Sequence, residues 1–205
     1  MDLHDALTQI SEIRRQVARA EVFRGYRAVP VAFSGFLAVS VAIYQAVALP
    51  DPSHDLGAYL LMWISAAVLS MAVMGAALFL YWWQYPTPLR RTTTLLAVSQ
   101  FMPAVVAGGV LAFVLWHRAP EALWMLPGLW SILFSLGIFA SYRLLPNATF
   151  WIGVYYLTAG ALCLAWAQGL NAFSPWAMGV PFGAGQLLAS VILYWTLERP
   201  HGEEF

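Results

Sequence analysis

Between residues 28 and 197 the chain runs through six long stretches without Asp, Glu, Lys or Arg, and its charges sit in the short joints between them. One ionised side chain at the centre of a spanning helix costs roughly 2.5 to 3.5 kcal/mol on insertion scales, so a bilayer selects this pattern. A soluble core does not account for it: 61% of the 205 residues are hydrophobic and 10% are charged, against about 25% charged in soluble domains. The expected fold class is an all-α polytopic integral membrane protein, a six-transmembrane-helix bundle in contact with the lipid bilayer.

Proline, glycine and charge locate the spans. Pro50-Asp51-Pro52-Ser53 closes the first, 28–49, and Pro86-Thr87-Pro88-Leu89-Arg90-Arg91 closes the second, 56–85. His117-Arg118-Ala119-Pro120-Glu121 separates the third, 94–116, from the fourth, 122–142. The charge-free run after Arg143 is too long for one helix rising about 1.5 Å per residue across about 30 Å. Pro146-Asn147 and the segment from Gly169 to Pro175 therefore divide it into a fifth span, 150–168, and a sixth, 176–197.

Residues 1–27 are a separate unit. Leu3, Leu7, Ile10 and Val17 recur at helical spacing beside Arg14, Arg15, Arg19 and Arg24, which predicts an amphipathic helix in the cytoplasm or on the membrane surface. An apolar run ending Ala46-Val47-Ala48 has the form of an export signal, but 28–49 exceeds the usual h-region and is read as an uncleaved span. Residues 198–205 form a short cytoplasmic tail.

Arginine sets the orientation, because basic loops stay in the cytoplasm. Arg14, Arg15, Arg19, Arg24, Arg27, Arg90, Arg91, Arg143 and Arg199 fall on one face and Arg118 alone on the other, which places both termini in the cytoplasm. The use of Arg to the exclusion of Lys is read as the mark of a GC-rich bacterial genome, and hence of a bacterial inner membrane. Tyr81, Trp82, Trp83, Tyr85, Trp151, Tyr194 and Trp195 are expected as one aromatic belt and Tyr59, Trp116, Trp124, Trp166 and Trp176 as the other.

Membrane helices associate through small residues that let backbones approach. Ser34, Ala38, Ala42 and Ala46 supply a four-residue ladder in the first span. Ser131 and Ser135 serve the fourth, Ala161, Ala165 and Gly169 the fifth, and a GxxxG at Gly179 and Gly183 the sixth. A faint echo pairs Pro30 and Ser34 with Pro127 and Ser131, Trp63-Ile64 with Trp151-Ile152, and Pro103 with Pro181, in the layout of a three-plus-three inverted repeat. In span number, inside termini and the ladder of the first span, the chain resembles the substrate-binding membrane subunits of energy-coupling-factor vitamin transporters. That resemblance is architectural and implies a small solute held among the helices.

Spans three and six read as interrupted. Ser99-Gln100-Phe101-Met102-Pro103 precedes Gly108-Gly109, and Pro181-Phe182-Gly183-Ala184-Gly185-Gln186 lies in the sixth span. Proline frees a carbonyl one turn earlier, glycine admits a ligand, and glutamine brings both donors and an acceptor to membrane depth. The candidate solute site is Gln100, Pro103, Gly108, Gly109, Pro181, Gly185 and Gln186. The structural alternative is a pair of kinked helices whose glutamines bond a neighbour's carbonyl. Gln45 is expected at the interface.

No Asp, Glu, His, Lys or Arg lies near a span centre, so a proton relay or buried counter-ion has no side chain to carry it. His4, His54, His117 and His201 lie outside the spans, which disfavours haem, and Cys163 is a packing residue. No catalytic motif, metal site or cofactor is expected, and the few basic residues do not indicate nucleic acid. The expected function is a non-enzymatic multi-pass protein that binds or transports a neutral, aromatic or lipid-like solute between spans three and six. The alternative is a regulatory or assembly subunit that docks a cytoplasmic protein partner through its N-terminal helix.

Overall fold

The structure, a computed structural model, describes residues 27–49, 51–84 and 88–198. The amphipathic helix expected within 1–27, most of the C-terminal tail and the side chains of Arg90 and Arg91 lie outside that description. Six helices carry the fold: α1 Ala28–Ala48, α2 Leu56–Gln84, α3 Pro88–Arg118, α4 Leu126–Ser141, α5 Thr149–Trp166 and α6 Pro175–Leu193. Each lies in a segment long and apolar enough to cross a membrane, and no strand occurs among the described residues. The chain is an all-α polytopic membrane bundle.

Helix ends depart from the expected bounds for local reasons. α3 begins at Pro88, six residues before the expected start at 94, because proline at a first helical position is already set at helical φ and gives up an N–H that would be unpaired anyway. A 3₁₀ stretch, Pro120–Met125, delays α4 to Leu126. Pro103 and Pro181 lie inside helices that continue through them, so the expected interruptions are absent. The carbonyl that Pro181 leaves free belongs to Ala177, and the Cys163 thiol donates to it at 3.2 Å. The lone cysteine thereby ties α5 to α6.

Successive helices pack side by side, and α6 returns to α1, so the bundle is a sequential ring. The strongest contacts join α1 to α6 and α4 to α5, whereas α2 and α3 scarcely touch. A three-helix half turned over in the membrane reverses its sense of winding. In a sequential ring both halves wind the same way, so α1–α3 and α4–α6 are not the inverted copies that the sequence echo predicted.

Glycine makes the two tight seams. A Cβ built on Gly179 would stand 2.5 Å from the Ala42 methyl, and one on Gly183 would stand 2.6 Å from Val39 Cγ2, so the GxxxG faces α1 of the same chain. Between α4 and α5, a Cβ on Gly128 would meet the Gly160 carbonyl at 2.8 Å, and one on Gly160 would meet the Gly128 carbonyl at 2.7 Å. Ser135 adds a cross-helix hydrogen bond, donating to the Gly153 carbonyl at 2.8 Å.

The expected ladders are partly displaced. α1 buries Val31, Gly35, Ala38, Ala42 and Gln45 and leaves Ala46 exposed, because a 3.6-residue turn drifts off a strict four-residue repeat. α5 packs through Gly153 and Gly160, while Ala161 and Ala165 are exposed. Gln45 is fully buried, not interfacial. Its Nε2 donates to the Phe173 carbonyl at 2.8 Å, and its Oε1 accepts from Trp63 Nε1 at 2.8 Å. Phe173 sits at φ 60, a conformation that costs a bulky residue energy, and Gln45 helps hold it there. Tyr59 and Tyr81 are buried too, whereas Trp83, Trp151, Trp166 and Trp176 are exposed as belt residues must be.

Candidate functional site: an interhelical cavity

The ring leaves a cavity of about 780 Å³ along its axis, with residues of all six helices in its wall. Small-molecule sites commonly run from about 300 to 1,000 Å³. Among the described residues no Asp, Glu, Lys, Arg or His lines it. The polar residues in its lining are Ser34, Ser70, Ser141, Thr149, Tyr156, Gln186 and the tryptophans Trp63, Trp116 and Trp130.

Several of these are already engaged. Ser34 donates to the Pro30 carbonyl at 3.1 Å, Thr149 to Pro146 at 2.6 Å and Trp130 Nε1 to Gly108 at 3.0 Å, while Trp63 is held by Gln45. Two hydroxyls differ: those of Tyr156 and Ser141 are buried without a hydrogen-bond partner. Tyr156 is wholly buried, and Gln186 lies against its hydroxyl without the geometry of a regular hydrogen bond. A buried polar group left unpaired costs about 1 to 3 kcal/mol, which the packing around it offsets.

Aromatic rings surround this point. Phe134 lies 4.7 Å from Tyr156, 5.1 Å from Phe101 and 5.8 Å from Phe182, centroid to centroid, and Tyr156 lies 5.5 Å from Phe182. All four rings line the cavity. Tilted and edge-on pairs at these distances interlock into an aromatic wall.

Of the residues proposed from sequence, Gly108, Gly109 and Gln186 line the cavity, and Gln100, Pro103, Pro181 and Gly185 do not. Pro103 is exposed and Pro181 buried. Gln100 keeps a buried, unpartnered Oε1 away from the cavity. Gly185 makes room for Tyr156 instead of a ligand: a Cβ there would lie 2.5 Å from the tyrosine ring. Sequence reading missed Tyr156, Ser141 and the phenylalanines. Its available signal was position, since Tyr156 lies well inside α5, away from either aromatic belt.

The loop cluster near residue 54 is occupied by capping. His54 Nε2 lies 3.2 Å from exposed Asp51, and the Ser53 hydroxyl hydrogen-bonds that carboxylate and holds it below its ordinary pKa. Asp55 accepts from the Ala58 amide at 2.8 Å at the start of α2. Among the described residues no group of three His, Cys, Asp or Glu comes together. The chain matches no protein-family model, no curated protein and no solved structure.

Proposed function

We propose that this is a non-enzymatic multi-pass membrane protein that binds, or carries across, a neutral aromatic or lipid-like solute in the interhelical cavity. The observation that carries this reading is the aromatic-walled cavity of about 780 Å³, with no charged side chain among its described lining residues and the half-buried Gln186 among its few polar ones. A charged solute would face no counter-ion there, at a cost that low-dielectric surroundings make prohibitive. A neutral solute gains one or two hydrogen bonds and keeps its apolar body out of water. The same reading places the protein in a bacterial inner membrane with both termini in the cytoplasm, on the strength of the arginine distribution.

The test uses the intact protein in lipid nanodiscs with a panel of neutral and charged amphiphiles, read by thermal unfolding. A bound solute at about 100 times its Kd stabilises by about 2.7 kcal/mol. Neutral aromatic members should raise the Tm of the parent. The Tyr156→Phe, Gln186→Leu variant should lose that rise while its ligand-free Tm holds, since no regular hydrogen bond is removed. A parent that no solute stabilises would refute the reading. For orientation, a cysteine introduced at position 54 should react with a membrane-impermeant thiol reagent from outside intact cells.

A further inference from the structure

The cavity wall has one gap. Every exposed residue in its lining belongs to α2 or α3, among them Leu61, Val68 and Met71 on one side and Gly109, Phe113 and Trp116 on the other. These are the two neighbouring helices that scarcely touch. The opening is therefore a lateral slot between α2 and α3 that runs from Met71 to Gly57 and Trp116 near one end of these helices and faces, over most of its length, the region that lipid chains occupy.

Three features narrow the occupant. The slot is rimmed by apolar side chains, which suits an acyl or isoprenoid tail. The deep end of the cavity offers the Gln186 amide and the partly exposed rings of Phe101, Phe134 and Phe182, which suits a planar oxygen-bearing head. The volume of about 780 Å³ lies in the range of small-molecule sites, which suits one ring system with the start of one tail.

We propose that the ligand is an uncharged single-tailed amphiphile drawn from the bilayer, its planar head against Gln186 and the rings of Phe101, Phe134 and Phe182 and its tail lying in the slot between α2 and α3. This rests on the solute-binding function proposed above and adds the ligand's class, orientation and route. Gly109 gives a clean handle on the slot. A Cβ there meets nothing within 4 Å, and neither does one on Gly75, an exposed position of α2 outside the cavity lining. Tryptophan at position 109 occupies the slot without straining the helix, and tryptophan at position 75 controls for bulk.

The experiment uses two photoreactive ketones in nanodiscs, benzophenone and 4-decylbenzophenone, with adducts on the intact protein mapped by peptide mass spectrometry. In the parent both should label the peptides around Tyr156 and Phe182. Gly109→Trp should cut labelling by the decyl probe roughly tenfold, equivalent to about 1.4 kcal/mol, and leave the tailless probe unchanged. Gly75→Trp should change neither, and Gln186→Leu should reduce both. Loss of the two probes together in Gly109→Trp, or of neither, would overturn the slot while leaving the cavity site standing. Absence of cavity adducts in the parent would overturn the solute-binding reading itself. Equal labelling by a decylbenzophenone carrying a carboxylate on its second ring would overturn the assignment of an uncharged ligand.

Discussion

The α4/α5 seam and the α2/α3 gap are made from the same stock of apolar and small residues, yet one is closed and the other open. In the seam, Gly128 and Gly160 face each other so closely that each would drive a Cβ into the other's carbonyl. At the gap Gly109 faces nothing, and neither does Gly75, on α2 outside the cavity lining. Glycine alone therefore does not make a contact; a second glycine at the matching height on the facing helix does. Without a hydrophobic force between helices in lipid, only such close approach and a few cross-helix hydrogen bonds hold a pair together. α2 and α3 meet in few places, Leu78 against Ala97 among them, and along the rest of their length the wall opens where a solute can enter.

Variants can break this contrast, in descending order of effect. Gly160→Leu should be the most damaging, costing about 3 kcal/mol or more because neither backbone can yield, and should show as loss of folded protein after size-exclusion chromatography in detergent. A well-folded Gly160→Leu protein would mean that the seam is not as tight as described. Gln45→Leu should cost about 2 kcal/mol by leaving the Trp63 indole and the Phe173 carbonyl unpaired, read as a fall in Tm. Ser135→Ala should cost less, about 0.6 kcal/mol, the average for a hydrogen bond between membrane helices. Gly109→Leu and Gly75→Leu should stay within about 0.5 kcal/mol of the parent, as exposed substitutions do. If they destabilise as much as Gly160→Leu, α2 and α3 are in contact and the slot is closed.

Candidate site residues were legible only in part. Gly108, Gly109 and Gln186 were found because backbone-exposing and amide-bearing residues are rare at membrane depth, and they do line the cavity. Gln100 and Gly185 carry the same local chemistry but fall on other faces of their helices, and no periodicity in so uniformly apolar a stretch says which face is inward. Gln45 shows the reverse error. Its place near the end of a span reads as interfacial, and only the return of Phe173 across the helix end buries it.

Charge and punctuation alone determined the number of spans, their approximate bounds and the all-α class, because the bilayer penalises each ionised group and each unpaired backbone group separately, residue by residue. The order of helices around the ring, the choice of packing face, the unpartnered Tyr156 hydroxyl and the open slot were decided only in the tertiary structure. Those properties depend on which small residues meet at equal height on different helices, and that matching is a relation between distant residues that no single stretch of sequence contains.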